Sequence, residues 1–177
     1  MASSQAAPGT VLITGTTSGV GLYATKALLA LGWKVIAANR SIEKAEMAAA
    51  KIGLPIGRPN LLEHICIDLA DLQSVRSGVN DLLSSRHEPL DALVCNAAVY
   101  LPRLPKPKRS PQGYEISMAT NHLGHFLLIQ LLLDNLRSSN RPFWQGRSWG
   151  CESPRIVMLG TVTANYKELG GKIPIPA

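Results

Sequence analysis

The sequence predicts an α/β protein built on a doubly wound parallel sheet. Three observations point there. Short apolar runs alternate five times with longer amphipathic stretches. The first run breaks directly into a glycine-rich loop. Each later connection is long enough for a helix that crosses the sheet. Right-handed crossovers then place helices on both faces. With 177 residues, 46% of them apolar and 17% charged, the chain fits one globular domain with a substantial core.

The elements follow in order. "VLITG" (11–15) reads as the first strand, and residues 19–31 as a helix that Gly32 stops. "WKVIAANR" (33–40) is the second strand. Residues 42–52 form a helix ended by Gly53, and "LEHICIDL" is the third strand. Residues 71–86 carry a helical period with Leu72, Val75, Val79, Leu82 and Leu83 on one face. "LDALVCNAA" is the fourth strand, 113–137 a long Leu-rich helix, and "RIVMLG" (155–160) the fifth strand. Two segments interrupt the alternation and are expected as surface loops: the Pro- and Lys/Arg-rich 99–111, and 138–154, "SSNRPFWQGRSWGCESP". Trp144 and Trp149 in the latter are placed to cap the domain's own edge or to pack on a partner.

The net charge of +6 and pI near 9.5 have a local origin. Arg103, Lys106, Lys108 and Arg109 fall together without an acid, and Arg137, Arg141, Arg147 and Arg155 face only Glu152 over 137–155. Solvated loops explain such runs, and an anionic ligand or membrane surface is the alternative. No recognition-helix, RNA-binding-sheet or zinc-finger pattern accompanies them, so nucleic acid is not an expected partner. "FLLIQLLL" is too short and interrupted for a membrane span, and "MASSQAAPG" lacks the basic and apolar regions of a secretory signal. Cys66, Cys95 and Cys151 have no metal-ligand spacing. Cys66 and Cys95 lie within apolar runs, as buried, inert thiols of a reducing compartment would.

The glycine loop carries the clearest signal. Gly15, Gly19 and Gly21 stand between a strand and a helix, spaced Gly-x-x-x-Gly-x-Gly. Gly15 permits the tight turn, Gly19 the approach of a pyrophosphate to the backbone, and Gly21 the approach of helix to strand. Free N–H groups and the helix dipole favour an anion there. Thr16, Thr17 and Ser18 add hydroxyls, and no Gly-Lys-Ser/Thr follows, so this is not a Walker loop. The second strand ends "AANR", offering Arg40 where an acid would accept the ribose 2′-hydroxyl of NAD. A guanidinium instead grips a 2′-phosphate through bonds worth about 1.5–3 kcal/mol each, roughly ten- to a hundredfold in preference. The expected cofactor is therefore NADPH. Asp68, ending strand three, either accepts from the adenine amino group or starts a helix. Asn96, Ala97 and Ala98 end strand four with side chains small enough for a cofactor to lie close. His122 and His125, three residues apart, lack further ligands at metal spacing.

The glycine spacing, "IDLA", "VCNAA" and "TNHLGHF", in this order, resemble the short-chain dehydrogenases/reductases, with their Rossmann fold. "LVCNAAVYLP", "ATNHLGHFLL" and "LGTVTANYKELGGKIPIPA" are similar to the light-dependent protochlorophyllide oxidoreductases within that superfamily. The resemblance runs from Val11 to the last residue. It implies light-driven hydride transfer from NADPH to one carbon of the C17=C18 bond of protochlorophyllide, with a proton reaching the other, in chlorophyll synthesis. By matching position, it assigns Gly15, Thr17, Ser18, Gly19, Val20 and Gly21 to the phosphate loop and Asn39 and Arg40 to the 2′-phosphate. Asp68 and Leu69 fall to the adenine, and Asn96, Ala97 and Ala98 to the nicotinamide side. Asn121 matches the active-site asparagine, Thr161 the usual catalytic serine, and Tyr100 the start of the pigment-cavity wall. His122 and His125 belong to the helix lining the site. A plastid or cyanobacterial setting, contact with a thylakoid surface and a homo-oligomeric state are further implications. "TGTT" in place of "TGAS" and the Trp-bearing 138–154 stretch are departures.

Short-chain reductases deliver the proton through Tyr-x-x-x-Lys. Here Tyr23, Tyr100, Tyr114 and Tyr166 are followed four residues on by Ala27, Leu104, Met118 and Gly170. The resemblance places that pair beyond the insert beginning "KELGGKIPIPA". The chain is therefore expected to be an amino-terminal fragment, a single NADP-binding domain (1–177) without its carboxy-terminal part, inactive alone and with strand five as a bare apolar edge. A non-catalytic NADPH-binding protein, or a reductase of another carbonyl or enoyl substrate, are the alternatives.

Overall fold

The computed structural model describes residues 9–53, 61–101, 106–139 and 154–160. The sheet is parallel and five-stranded: β1 (Thr10–Thr14), β2 (Lys34–Asn39), β3 (Leu62–Cys66), β4 (Ala92–Cys95) and β5 (Arg155–Met158), in the spatial order β3-β2-β1-β4-β5. The helices are α1 (Gly19–Ala30), α2 (Ile42–Ile52), α3 (Leu72–Ser85), the single turn α4 (Ile116–Met118) and α5 (Gly124–Arg137). A wider, π-helical turn over Ala119–Leu123 joins α4 to α5. The predicted doubly wound sheet is thus observed.

Period-two alternation divides the strand residues between two cores. Leu12, Ile36, Ala38, Leu93 and Cys95 meet Val75, Val79 and Leu82 of α3 and Leu128, Leu132 and Leu136 of α5. Val11, Ile13, Val35 and Ala92 point the other way, onto Leu29 of α1 and Trp33. Central β1 is buried along its whole length, as a strand covered on both faces must be. Ser41 Oγ caps α2 by accepting from Lys44 N (3.2 Å), and Asp71 caps α3 by accepting from Gln73 N (3.0 Å). Leu83, expected on the buried face of α3, is 37% exposed.

Side chains shorten three predicted elements. β3 stops at Cys66 because Asp68 Oδ1 accepts from Ala70 N (2.9 Å) and turns the chain. β4 stops at Cys95 because Thr14 Oγ1 takes the N–H groups of Asn96 and Ala97. The long helix starts at Ile116, where Glu115 accepts from Ser117 N and Met118 N (both 2.9 Å). These bonds hold the Glu115 carboxyl below its usual range.

Two expectations need correction. The continuous helix Ile116–Arg137 is, by length and composition, long and apolar enough to cross a membrane. Its Leu128, Leu132 and Leu136 are nevertheless buried against the sheet and α3, each contributing about 1.5–3 kcal/mol, as in a core helix. Cys66 is exposed rather than buried, at the end of an outer strand; Cys95 is buried, and burial pushes its thiol up to about 12. Cys151, Trp144, Trp149 and most of 138–154 lie outside the described residues. Among the described residues β5 pairs only with β4, and Ile156, Val157 and Met158 are exposed, in keeping with the expected apolar edge.

Candidate cofactor site

The chain leaves β1 for β2 and β3 on one side and returns to β4 on the other. The carboxyl ends of β1 and β4 therefore diverge, which opens the crevice where ligands of open parallel sheets bind. The glycine loop and the Asn96–Ala98 turn are its two lips.

Gly15 has φ +71°, and a Cβ there would lie 2.8 Å from Ala97 Cα. At Gly21 a Cβ would run into the Gly15 carbonyl and the Asn96 side-chain amide. Both glycines thus bring the two lips together. Asn96 ties them, its Nδ2 donating to Thr14 O (2.9 Å) and Gly15 O (3.0 Å). Asn39 Oδ1 accepts from Thr16 N (2.9 Å), and its Nδ2 donates to Thr16 Oγ1 (2.8 Å). The last residue of β2 thus shapes the loop from beneath.

The loop keeps room for a ligand. A Cβ on Gly19 would meet nothing within 4 Å, and Ser18 at the start of α1 makes no side-chain cap bond, so that capping role is open to an anion. Ser18 and Val20 are exposed, and Thr17 is half-buried. Arg40 is exposed at the end of β2, and its guanidinium makes no hydrogen bond or ion pair among the described residues. These features fit a nicotinamide dinucleotide.

Two of the expected contacts are turned inward. The Asn39 amide is spent on Thr16, and the Leu69 side chain is buried in the core. Asp68 holds Ala70 N through Oδ1, and the helix-capping role considered for it falls to Asp71. Gln112, from the loop after β4, donates to Asp71 Oδ1 (2.8 Å), and this bond, with that from Gln73 N, holds the Asp71 carboxyl below its usual range. Tyr100 is 85% exposed. Asn121 Oδ1 accepts from Val99 N (2.8 Å) and its Nδ2 donates to Val99 O (2.9 Å), so its amide grips the turn after β4. Thr161 lies outside the described residues, as do Tyr166 and the "KELGGKIPIPA" segment.

Sequence reasoning missed Thr14. Its hydroxyl accepts from Asn96 N (2.9 Å) and Ala97 N (3.0 Å) and lies 2.9 Å from His125 Nε2. A threonine closing the aliphatic run Val11–Ile13 was the available signal. His125 is buried and lies within hydrogen-bond distance of Thr14, from β1, and of the Asn121 carbonyl, while His122 stacks on Phe126. No group of three metal-binding side chains stands together among the described residues.

Fold and loop together define the class: a Rossmann-type sheet with a phosphate-type glycine loop at its switch point. The chain belongs to the short chain dehydrogenase family, whose model matches residues 9–142. It is 45% identical, over 93% of its length, to a chloroplastic protochlorophyllide reductase of Chlamydomonas reinhardtii, and 44% identical over 94% to one of Daucus carota, covering 38% of each. The chain thus spans about two fifths of the length of the curated relatives it matches. Among solved structures it resembles the Pseudomonas aeruginosa RhlG/NADP active-site complex, at 26% identity and TM-score 0.59, covering 73% of this chain and 48% of that one. It also resembles a 3-ketoacyl-(acyl-carrier-protein) reductase from Brucella melitensis complexed with NADH, at 26% identity and TM-score 0.56, covering 73% and 50%.

Proposed function

We propose that this chain holds NADPH at the β1/β4 crevice and serves the light-dependent reduction of protochlorophyllide to chlorophyllide. The observation that carries the proposal is the 45% identity to the Chlamydomonas reductase over nearly the whole chain. The open cradle at Gly19 and the exposed Arg40 at the end of β2 support the choice of cofactor. NADPH, when bound, supplies a hydride for one carbon of the C17=C18 bond. Backbone N–H groups of residues 18–21 hold the pyrophosphate, Arg40 the 2′-phosphate and Asp68 the adenine. Ala97 and Ala98 form a low floor for the nicotinamide, and Asn121 fixes that floor through Val99. Thr161 belongs to the same catalytic group by position. The chloroplastic names of the relatives favour a plastid setting. The exposed Lys106, Lys108 and Arg109 suit an anionic thylakoid surface.

One observation favours a second reading, NADPH binding without catalysis: no tyrosine here is followed by lysine at the fourth position. The coding sequence past Ala177 separates the two. A frame continuing into a Tyr-x-x-x-Lys helix supports the reductase, and a stop codon there supports binding alone. A chain carrying that helix is expected to form chlorophyllide from protochlorophyllide and NADPH in light. Turnover of a carbonyl or enoyl substrate in the dark, without turnover of the pigment in light, would assign another reductase activity.

A further inference from the structure

Thr14, His125, Asn121 and Val99 form a closed ring of hydrogen bonds beneath the crevice. Thr14 Oγ1 accepts from Asn96 N and Ala97 N, which fills its acceptor sites, and its proton points at His125 Nε2 (2.9 Å), the nearer of its two acceptors, the Val94 carbonyl lying 3.4 Å away. His125 Nδ1 lies 3.3 Å from the Asn121 carbonyl, which can only accept. Nδ1 therefore carries the imidazole proton and Nε2 accepts from Thr14. Asn121 completes the ring with its two bonds to the Val99 backbone (2.8 and 2.9 Å). The ring crosses from the last residue of β1, through the first turn of α5, to the π-helical turn and back to the chain leaving β4. The wider winding of that turn, where Gly124 N reaches Ala119 O five residues back, sets Asn121 opposite Val99.

We infer that His125 is a positioning residue that locks the Asn96–Val99 floor at both ends and so sets the nicotinamide end of the cofactor site independently of the adenosine end. This rests on the NADPH site proposed above. Among the described residues, none of the ring's hydrogen bonds involves Arg40, Asp68 or Gly19. His125 is 2% exposed, so it acts from behind the floor and not on a ligand. An exposed site would not need a neutral imidazole with both nitrogens engaged. A floor of two alanines has no side chain of its own to hold its shape, and the ring supplies that hold.

The test compares two ligands by calorimetric titration: NADPH, and 2′,5′-ADP, which has the adenosine end and no nicotinamide. His125→Phe removes both imidazole bonds at similar volume, Thr14→Val removes the shared hydroxyl, and Thr14→Ser restores it. The wild-type protein is expected to bind both ligands. His125→Phe and Thr14→Val are expected to weaken NADPH about tenfold, the scale of one or two lost hydrogen bonds, with 2′,5′-ADP unchanged. Thr14→Ser is expected to recover the wild-type ratio. An unchanged ratio in either folded variant overturns the inference. Amide exchange on the wild-type protein keeps it testable where a variant does not fold: Ala97 and Val99 are expected to be protected together, and fast exchange at Val99 beside a protected Ala97 overturns the ring. A wild-type protein that binds neither ligand overturns the cofactor site itself, a distinct failure.

Discussion

The two ends of β1 and β4 use polar groups in opposite ways. At the amino ends, Asp91 gathers everything inward. Its carboxylate accepts from Thr10 N (2.6 Å) and Ser139 Oγ (2.5 Å), its N–H donates to Thr10 O (2.9 Å), and its carbonyl accepts from Arg155 N (3.1 Å). One buried residue thereby ties β1, β4, β5 and the end of α5 together. At the carboxyl ends, Thr14, Asn39, Asn96 and Asn121 are also paired, yet their bonds hold the backbone around a gap, with Gly19 open and α1 lacking a side-chain cap. The same strands thus close themselves at one end and leave an open crevice at the other. Buried polar groups that satisfy one another give stability, and donors kept apart by glycines give binding.

Substitutions should separate the two ends. Asp91→Ala has the largest expected effect. It strands Thr10 N and Ser139 Oγ in the interior, and urea unfolding should show a loss of about 2–4 kcal/mol, with NADPH affinity of the folded fraction unchanged. A loss below about 0.5 kcal/mol, the usual range for surface changes, would remove Asp91 from its structural role. Arg40→Ala should do the reverse. NADPH affinity should fall roughly ten- to a hundredfold, NADH affinity should hold, and stability should stay within about 0.5 kcal/mol. Equal weakening of both cofactors would refute the 2′-phosphate role.

Acid should act more mildly, through His125, whose burial holds its pKa below the ordinary 6.5 despite the opposing Asn121 carbonyl. The unfolded chain then binds the proton more readily than the folded one between those two values. The contribution of His125 to stability is full above about pH 6.5 and falls as pH drops below it. His125→Phe should flatten that part of the stability profile; a profile identical to wild type would count against a buried neutral imidazole. The smallest expected effect is chemical. A thiol reagent should label exposed Cys66 well before Cys95, whose thiol burial has pushed up to about 12. Faster labelling of Cys95 would mean that the core under β4 opens.

The fold was legible because alternation and glycine punctuation are local signals. "VLITG" followed by three spaced glycines, and Gly32 and Gly53 ending helices, needed no tertiary knowledge. The element ends were not legible, because long-range bonds set them: Thr14 stops β4 from 82 residues away. The site was half legible. Gly15, Gly21 and Arg40 stand where their spacing put them. Asn39 and Leu69 face inward because a residue's direction depends on strand register and core packing, which a linear motif does not contain. The exposure of Cys66 has the same origin, since its apolar neighbours do not reveal that β3 is an outer strand.

A titration of isotope-labelled protein with NADPH, followed by the backbone amide signals, tests the contrast between the two ends most directly. The amides of residues 15–21, Arg40 and 96–99 should shift together and saturate at one stoichiometric equivalent, while those of Thr10, Asp91 and Ser139 stay in place. Shifts centred on Thr10 and Asp91, or none at the glycine loop under saturating NADPH, would contradict a cofactor site at the β1/β4 crevice.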